Sequence, residues 1–215
     1  MTEPRYLYCW FDTEYTTLEL ERAELLQVAL IVSDDGLSPI SQRPEGIPSE
    51  LLRQDGFSAC VAPPPREQIS DHVLENYQPL LRRCEQEGRS VEEIDNYLSI
   101  YLDGFPETRN DDIRLRPTLA GNSIYADYFL ARKFLSKFLS HLNYRLFDVT
   151  TFKLEWQFHH RGPKFHKLGS PDNIQKYYRG QDAIVGDKHD AYYDVQASMA
   201  ELAHYRSQFE RIQKD

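Results

Sequence analysis

The sequence predicts an α/β fold in which a mixed sheet is covered by helices. Three observations carry that expectation. Two β-prone apolar runs, Tyr6 to Phe11 and Leu25 to Val32, come first, and the turn signal Asp34-Asp35-Gly36 follows them, as in an opening meander of strands. Helical periodicity then alternates with short β-prone segments, the pattern that joins strands through crossover helices. The chain closes on a stretch from about Ala191 to Ile212 with Val195, Met199, Leu202, Tyr205 and Phe209 at helical spacing.

Each element has its own local reason. Tyr6 to Phe11 is rich in aromatics, and Leu25 to Val32 is apolar apart from one Gln, which suits a largely buried strand. Asp34-Asp35-Gly36 predicts a hairpin to a third strand. Prolines and polar residues dominate from Pro39 to Pro65, so residues 37–73 read as irregular, with a strand around Phe57 to Ala62 as the exception. Ser90-Val91-Glu92-Glu93 has the form of a capping box, and Val91, Ile94, Leu98 and Tyr101 continue it at helical spacing. Pro106 to Pro117 reads as a loop and Thr118 to Ala120 as a short strand. Ile124 to Leu142 is predicted as one helix, with Asp127, Ala131, Leu135, Phe138 and Leu142 on a single face. Tyr144 to Val149 reads as a strand and Thr151 to Phe158 as a short helix containing a core Trp156. Residues 162–188 read as an irregular insertion.

Composition narrows the class. With 215 residues, 40% hydrophobic and 27% charged, the chain suits one globular domain spanning residues 1–215. No apolar run approaches the length of a membrane span. The first residues lead straight into a candidate strand without a basic leader, and the three cysteines, Cys9, Cys60 and Cys84, include no C-x-x-C pair. A cytoplasmic protein with reduced thiols is therefore expected. A net charge of −9 argues against tight, non-specific binding to long nucleic acid, which relies on many phosphate contacts from Lys and Arg. A small nucleic-acid substrate stays compatible, because divalent cations invert the local field of clustered carboxylates.

The residues with chemical potential fall where strands end and helices begin, the edges at which α/β folds gather function. Asp12 and Glu14 are two apart at the end of the first strand, so their carboxylates share a face. Hard divalent cations favour such oxygen pairs. The spacing alone is common: Glu19-Leu20-Glu21 and Glu85-Gln86-Glu87 repeat it, and a solvated strand end would explain it equally. The apolar strand preceding Asp12 sets this pair apart. Asp127 lies on the apolar stripe of its helix near the N-terminus. The helix dipole alone could account for it, but an inward carboxylate also needs a partner, and a shared metal is one. His189 and Asp194 are five apart, which separates them on one helix. His189 is therefore expected just before the last helix and Asp194 in its first turns. An imidazole there could take a proton from water, and Asp194 could complete a metal site. Four carboxylates and one imidazole are what a two-metal phosphodiester-cleaving site requires.

Trp10-Phe11-Asp12-Thr13-Glu14-Tyr15-Thr16, Leu119-Ala120-Gly121-Asn122-Ser123-Ile124 with Asp127, and His189-x-Ala191-x-x-Asp194 with the helix after it resemble the three motifs of the DEDDh 3′→5′ exonucleases. Gly-Asn-Ser, together with Tyr144-Arg145-Leu146-Phe147-Asp148-Val149-Thr150-Thr151, makes the resemblance closest to the oligoribonuclease family. It covers roughly residues 6–36, 118–158 and 188–210. The resemblance implies a ribonuclease-H-like fold with a mixed five-stranded sheet flanked by helices. It implies two Mg²⁺ or Mn²⁺ ions held by Asp12, Glu14, Asp127 and Asp194, with His189 as base. The implied reaction is hydrolysis of short oligoribonucleotides, dinucleotides included, to nucleoside 5′-monophosphates from the 3′ end. By the same likeness Leu18 wedges against substrate bases, Ser123 contacts the terminal phosphate region, and His72 stands for a phosphate-binding histidine. The family is homodimeric, and Tyr144 and Arg145 match residues that reach the partner's site. Thr17 departs from the family's glycine before the wedge leucine, residues 37–73 are hard to match, and the 162–188 insertion is longer than usual.

Other readings stay open beside it. The same chemistry could serve short single-stranded DNA or the trimming of longer RNA ends, and the same fold could bind oligonucleotides without cleaving them. His159, His160 and His166 read as solvated loop residues rather than a second metal site. Arg161, Lys164, Lys167, Lys176 and Arg179 with Tyr177-Tyr178 could guide a single strand by charge and stacking, although a solvated loop explains them as well.

Overall fold

The sheet is organised on β1 (Leu7–Tyr15), which carries Asp12 and Glu14 inside the strand rather than after it. The computed structural model describes residues 6–160, 164–165, 171–184 and 189–212. β2 (Leu25–Asp34) pairs antiparallel with β1, and β3 (Gly56–Cys60) antiparallel with β2. On the other side β4 (Thr118–Gly121) and β5 (Leu146–Asp148) run parallel to β1. The order is β3-β2-β1-β4-β5, a mixed five-stranded sheet flanked by helices.

The helices are α1 (Asp71–Asn76), α2 (Gln78–Glu87), α3 (Val91–Asp103), α4 (Tyr125–Phe134), α5 (Ser136–Ser140), α6 (Val149–Glu155), α7 (Pro171–Tyr177) and α8 (Ala191–Ile212). Strand alternation divides them between the two faces. Cys9, Phe11, Val28 and Leu30 pack with Ile94 and Leu98 of α3, Leu130 of α4 and Phe138 of α5. Trp10, Ala29, Ile31 and Ala120 face the opposite way, onto Val149 of α6, Ile174 of α7 and the α8 residues Val195, Met199 and Tyr205. A smaller cluster seats α1 and α2 on the β2–β3 end, through Val73, Leu80, Leu81 and Cys84 against Leu26 and Cys60.

Several sequence expectations are corrected. Asp34-Asp35-Gly36 turns the chain into an isolated Ser33–Pro39 bridge, and the third strand waits until Gly56. The segment 37–73 contains that strand and the start of α1, and α1 and α2 were not anticipated at all. The predicted 124–142 helix is two helices broken at Leu135 (φ −125°, ψ 56°), because Asp95 of α3 accepts the amides of Lys137 (3.1 Å) and Phe138 (2.9 Å) and so starts α5 afresh. The strand expected from Tyr144 begins only at Leu146. The helix expected from Thr151 starts at Val149 and continues as a π-helical turn over Trp156–His160. Among the described residues of the 162–188 insertion, Pro171–Tyr177 form a helix, α7. The capping box on Ser90 forms as expected, and Trp156 is buried. Of the clustered histidines, His159 lies 3.7 Å from Glu155 Oε2, whereas the His160 side chain and His166 lie outside the described residues. Arg161 and Lys167 of the basic insertion lie outside them as well.

Candidate active site

Asp12 and Glu14 continue the Trp10 face of β1, the face that α8 covers. Asp194, in the first turn of α8, meets them there. Carboxylate oxygens of Asp12, Glu14 and Asp194 all lie within 4.8 Å of one another. Thr13, between the two acids, points to the opposite face, where α4 delivers Asp127. The Thr13 amide and hydroxyl both donate to Asp127 Oδ1, at 2.8 and 2.7 Å. The four carboxylates, reaching in from both faces of the sheet, line one cleft of about 480 Å³. Glu14 and Asp127 are only 8% and 6% exposed, an environment in which an anion needs a compensating partner.

The field of these acids is felt by the neighbouring phenols. Burial raises the Tyr15 pKa, and Asp127, Asp12 and Glu14 raise it further. Tyr77 is pushed up to about 12, first by burial and then by Glu14, Tyr15, Asp194 and Asp12. Oxygen-only donors, close packing and concentrated negative charge together fit a hard divalent cation.

The backbone around the acids is fixed by close contacts. A Cβ on Gly121 would stand 2.9 Å from the Phe11 carbonyl and 2.8 Å from Ile124 Cδ1, so glycine lets β4 run tightly against β1. Asn122 then reaches across to α8 and donates to Ser198 Oγ (3.0 Å) and Glu201 Oε2 (2.9 Å). Ser123 is left-handed (φ 53°), and its amide donates to Asp148 Oδ1 and Thr150 Oγ1, both at 2.9 Å. Gly-Asn-Ser thus joins β4, β5 and α8 at the rim of the cleft.

His189 precedes α8, with a left-handed backbone (φ 74°) that costs a non-glycine residue about 1–3 kcal/mol. Its ring stacks on Tyr77, with centroids 3.9 Å apart and planes 29° from parallel, and Tyr77 lines the cleft. Asp190 starts α8 by accepting the amides of Tyr192 (3.0 Å) and Tyr193 (3.3 Å) on Oδ1.

The remaining expected residues divide. Leu18 and His72 line the cleft, as does Ser123. Leu18 is 85% exposed on the β1–β2 loop, which is closed at its base by Thr16 and Glu24. His72 accepts Asn76 Nδ2 on its carbonyl at 2.8 Å. Tyr144 and Arg145 stand apart from the cleft beside the edge strand β5, with the guanidinium 5.5 Å from the Tyr144 ring centre. Tyr77 and Arg83 were missed. The Ser70-Asp71 cap and the helical spacing of Leu80, Leu81 and Cys84 were the available signals for their segment.

Over 202 residues the chain is 28% identical to a protein described as a probable oligoribonuclease from Schizosaccharomyces pombe, spanning 92% of this chain and 66% of the relative. An oligoribonuclease of Azoarcus sp. is 24% identical over 216 residues and is spanned over 98% of both chains. The chain is similar to the oligoribonucleases. Escherichia coli exonuclease I, solved in complex with a dA16 oligonucleotide, superposes with a TM-score of 0.61 at 13% identity. That likeness covers 97% of this chain and 42% of the exonuclease, and it carries the fold alone. The oligoribonuclease-like chain thus spans about two thirds of one curated relative and under half of that structural neighbour. No family model matches it. Among the described residues no helix is long and apolar enough to cross a membrane.

Proposed function

We propose that the chain is a DEDDh 3′→5′ exoribonuclease that hydrolyses short oligoribonucleotides, dinucleotides included, to nucleoside 5′-monophosphates. The observation that carries this reading is the convergence of Asp12, Glu14 and Asp194 within 4.8 Å, in the cleft that Asp127 also lines. The similarity to named oligoribonucleases along nine tenths of the chain supports the choice of substrate class.

In this reading Asp12, Glu14, Asp127 and Asp194 hold two Mg²⁺ or Mn²⁺ ions. Bound divalent cations supply Lewis-acid stabilisation of the negative charge that develops on the phosphodiester and its leaving 3′ oxygen. His189 accepts the proton of the attacking water. Leu18 presents an exposed apolar side chain to the substrate bases, Ser123 borders the terminal phosphate region, and His72 is a phosphate-binding histidine. A homodimer is part of the proposal. It is supported by the exposed Tyr144, Leu146, Leu154 and Phe158 around the edge strand β5, and Tyr144 and Arg145 would act across it. The compartment proposed is the cytoplasm, supported by three buried free cysteines.

The test is a timed digestion of 5′-labelled RNAs from two to about twenty nucleotides, beside matched DNA, with Mg²⁺ or Mn²⁺. Fastest cleavage of the shortest RNAs, abolished in Asp194→Asn, is the expected result. Preference for DNA or longer strands would replace the substrate and keep the chemistry. Binding without cleavage under either metal would overturn the enzyme.

A further inference from the structure

We infer that Tyr77 is a positioning residue for His189, acting from a helical arm, α1–α2, that holds the loop before α8 at two consecutive residues. The inference rests on the exonuclease reading for what His189 does, but the stack does not depend on that reading.

Three observations converge. His189 has a left-handed backbone, so its neighbours must define its placement. The Tyr77 ring lies against the imidazole face at 3.9 Å. The next residue, Asp190, is gripped from the same arm by Arg83 of α2, whose Nη2 donates to its Oδ2 at 2.9 Å, while from the sheet Gln27 Nε2 of β2 approaches the same oxygen at 3.4 Å. Gln27 Oε1 also accepts the Ala191 amide at 3.1 Å.

The arm is itself anchored. Tyr77 joins α1 to α2, its amide donating to the Val73 carbonyl and its carbonyl accepting from Leu81, both at 2.9 Å. Beneath it Val73, Leu80, Leu81 and Cys84 seat the two helices on the sheet. A ring carried on this foot is a fixed surface. Stacking engages the π face of an imidazole, whereas proton transfer runs through nitrogens in the ring plane. Tyr77 therefore sets the direction of those nitrogens without competing for their bonds. The Arg83–Asp190 pair ties the same arm to the α8 cap, and with it to Asp194 four residues on.

Tyr77→Leu keeps apolar bulk and removes the stack, and Tyr77→Phe keeps the stack. In Tyr77→Leu, kcat on a dinucleotide is expected to fall about ten- to a hundredfold with KM within about threefold, the scale of a misplaced catalytic group. Tyr77→Phe stays within about twofold of wild type. Independently of activity, the His189 ring-proton resonance, assigned with His189→Asn, should lose its ring-current shift in Tyr77→Leu and keep it in Tyr77→Phe. If the wild type cleaves nothing while the resonance moves as expected, the exonuclease reading fails and the placement of His189 stands. If the wild type cleaves and Tyr77→Leu alters only KM, the ring serves substrate and the inference falls. An unmoved resonance overturns it outright. Should Tyr77→Leu not fold, Arg83→Met loosens the same arm. A displaced His189 resonance with reduced kcat is then expected, and an unchanged pair of readings overturns the inference.

Discussion

Thr13 links the two faces of the sheet at the level of single atoms. Its neighbours Asp12 and Glu14 point towards α8, while its own amide and hydroxyl fasten Asp127 on the α4 side. With Asp127 as a carboxylate the hydroxyl's bond is charge-assisted, and burial of both partners keeps water from replacing it. Thr13→Val removes that bond, keeps the side-chain shape and leaves the amide in place. The expected loss is about 2 kcal/mol of folding free energy, within the usual range for bonds to charged groups. Urea unfolding measures it, and a variant as stable as wild type would contradict the assigned geometry. The shared direction of Asp12 and Glu14 was legible because strand alternation needs no tertiary knowledge. The Tyr77–His189 stack was not legible. It joins segments far apart in sequence, and an aromatic between two short helices has no periodic signature.

The two-part helix after β4 shows how a tertiary contact overrides a sound local pattern. Asp127, Ala131, Leu135 and Phe138 do share a buried face, which is why their spacing reads as one helix. The break at Leu135 comes from α3, whose buried Asp95 accepts the first amides of α5. Removing that acceptor in Asp95→Ala strands two amides in a packed interface. Destabilisation of about 2–3 kcal/mol is expected, the sum of a lost cap and unsatisfied donors. Asp95→Asn, which retains one acceptor oxygen, should lose roughly half as much. Equal stability of Asp95→Ala and wild type would mean that the break has another cause. Elements with strong internal periodicity, α3 and α8, were legible almost to their ends. α7 was obscured by the turn and basic residues around it. Docking supplies what its local sequence lacks: Ile174 is buried in the core, and just after the helix Asp55, beside β3, accepts the Tyr178 hydroxyl (2.7 Å) and the amides of Gln181 and Asp182 (both 2.8 Å).

At the scale of the whole molecule, the cleft lies where the two cores meet. α4 and its cluster bring Asp127 from one side, α8 and its cluster bring Asp194 from the other, and β1 carries Asp12 and Glu14 between them. Packing holds these acids together against their mutual repulsion in a chain that already carries a net charge of −9. Cations that bind this folded cluster and not the unfolded chain must therefore stabilise the fold, since only the folded chain brings these acids together. At a hundred times the dissociation constant that linkage is about 2.7 kcal/mol, or roughly 5–10 °C in Tm for a chain of this size. Protein stripped with a chelator and titrated with Mg²⁺ or Mn²⁺ in a thermal melt should show the rise. Asp12→Asn should show less of it, and without metal should melt above the stripped wild type, because one of three crowded charges is gone. An equal metal response in wild type and variant would place the ions elsewhere, and no response in the wild type would count against a metal site in this cleft.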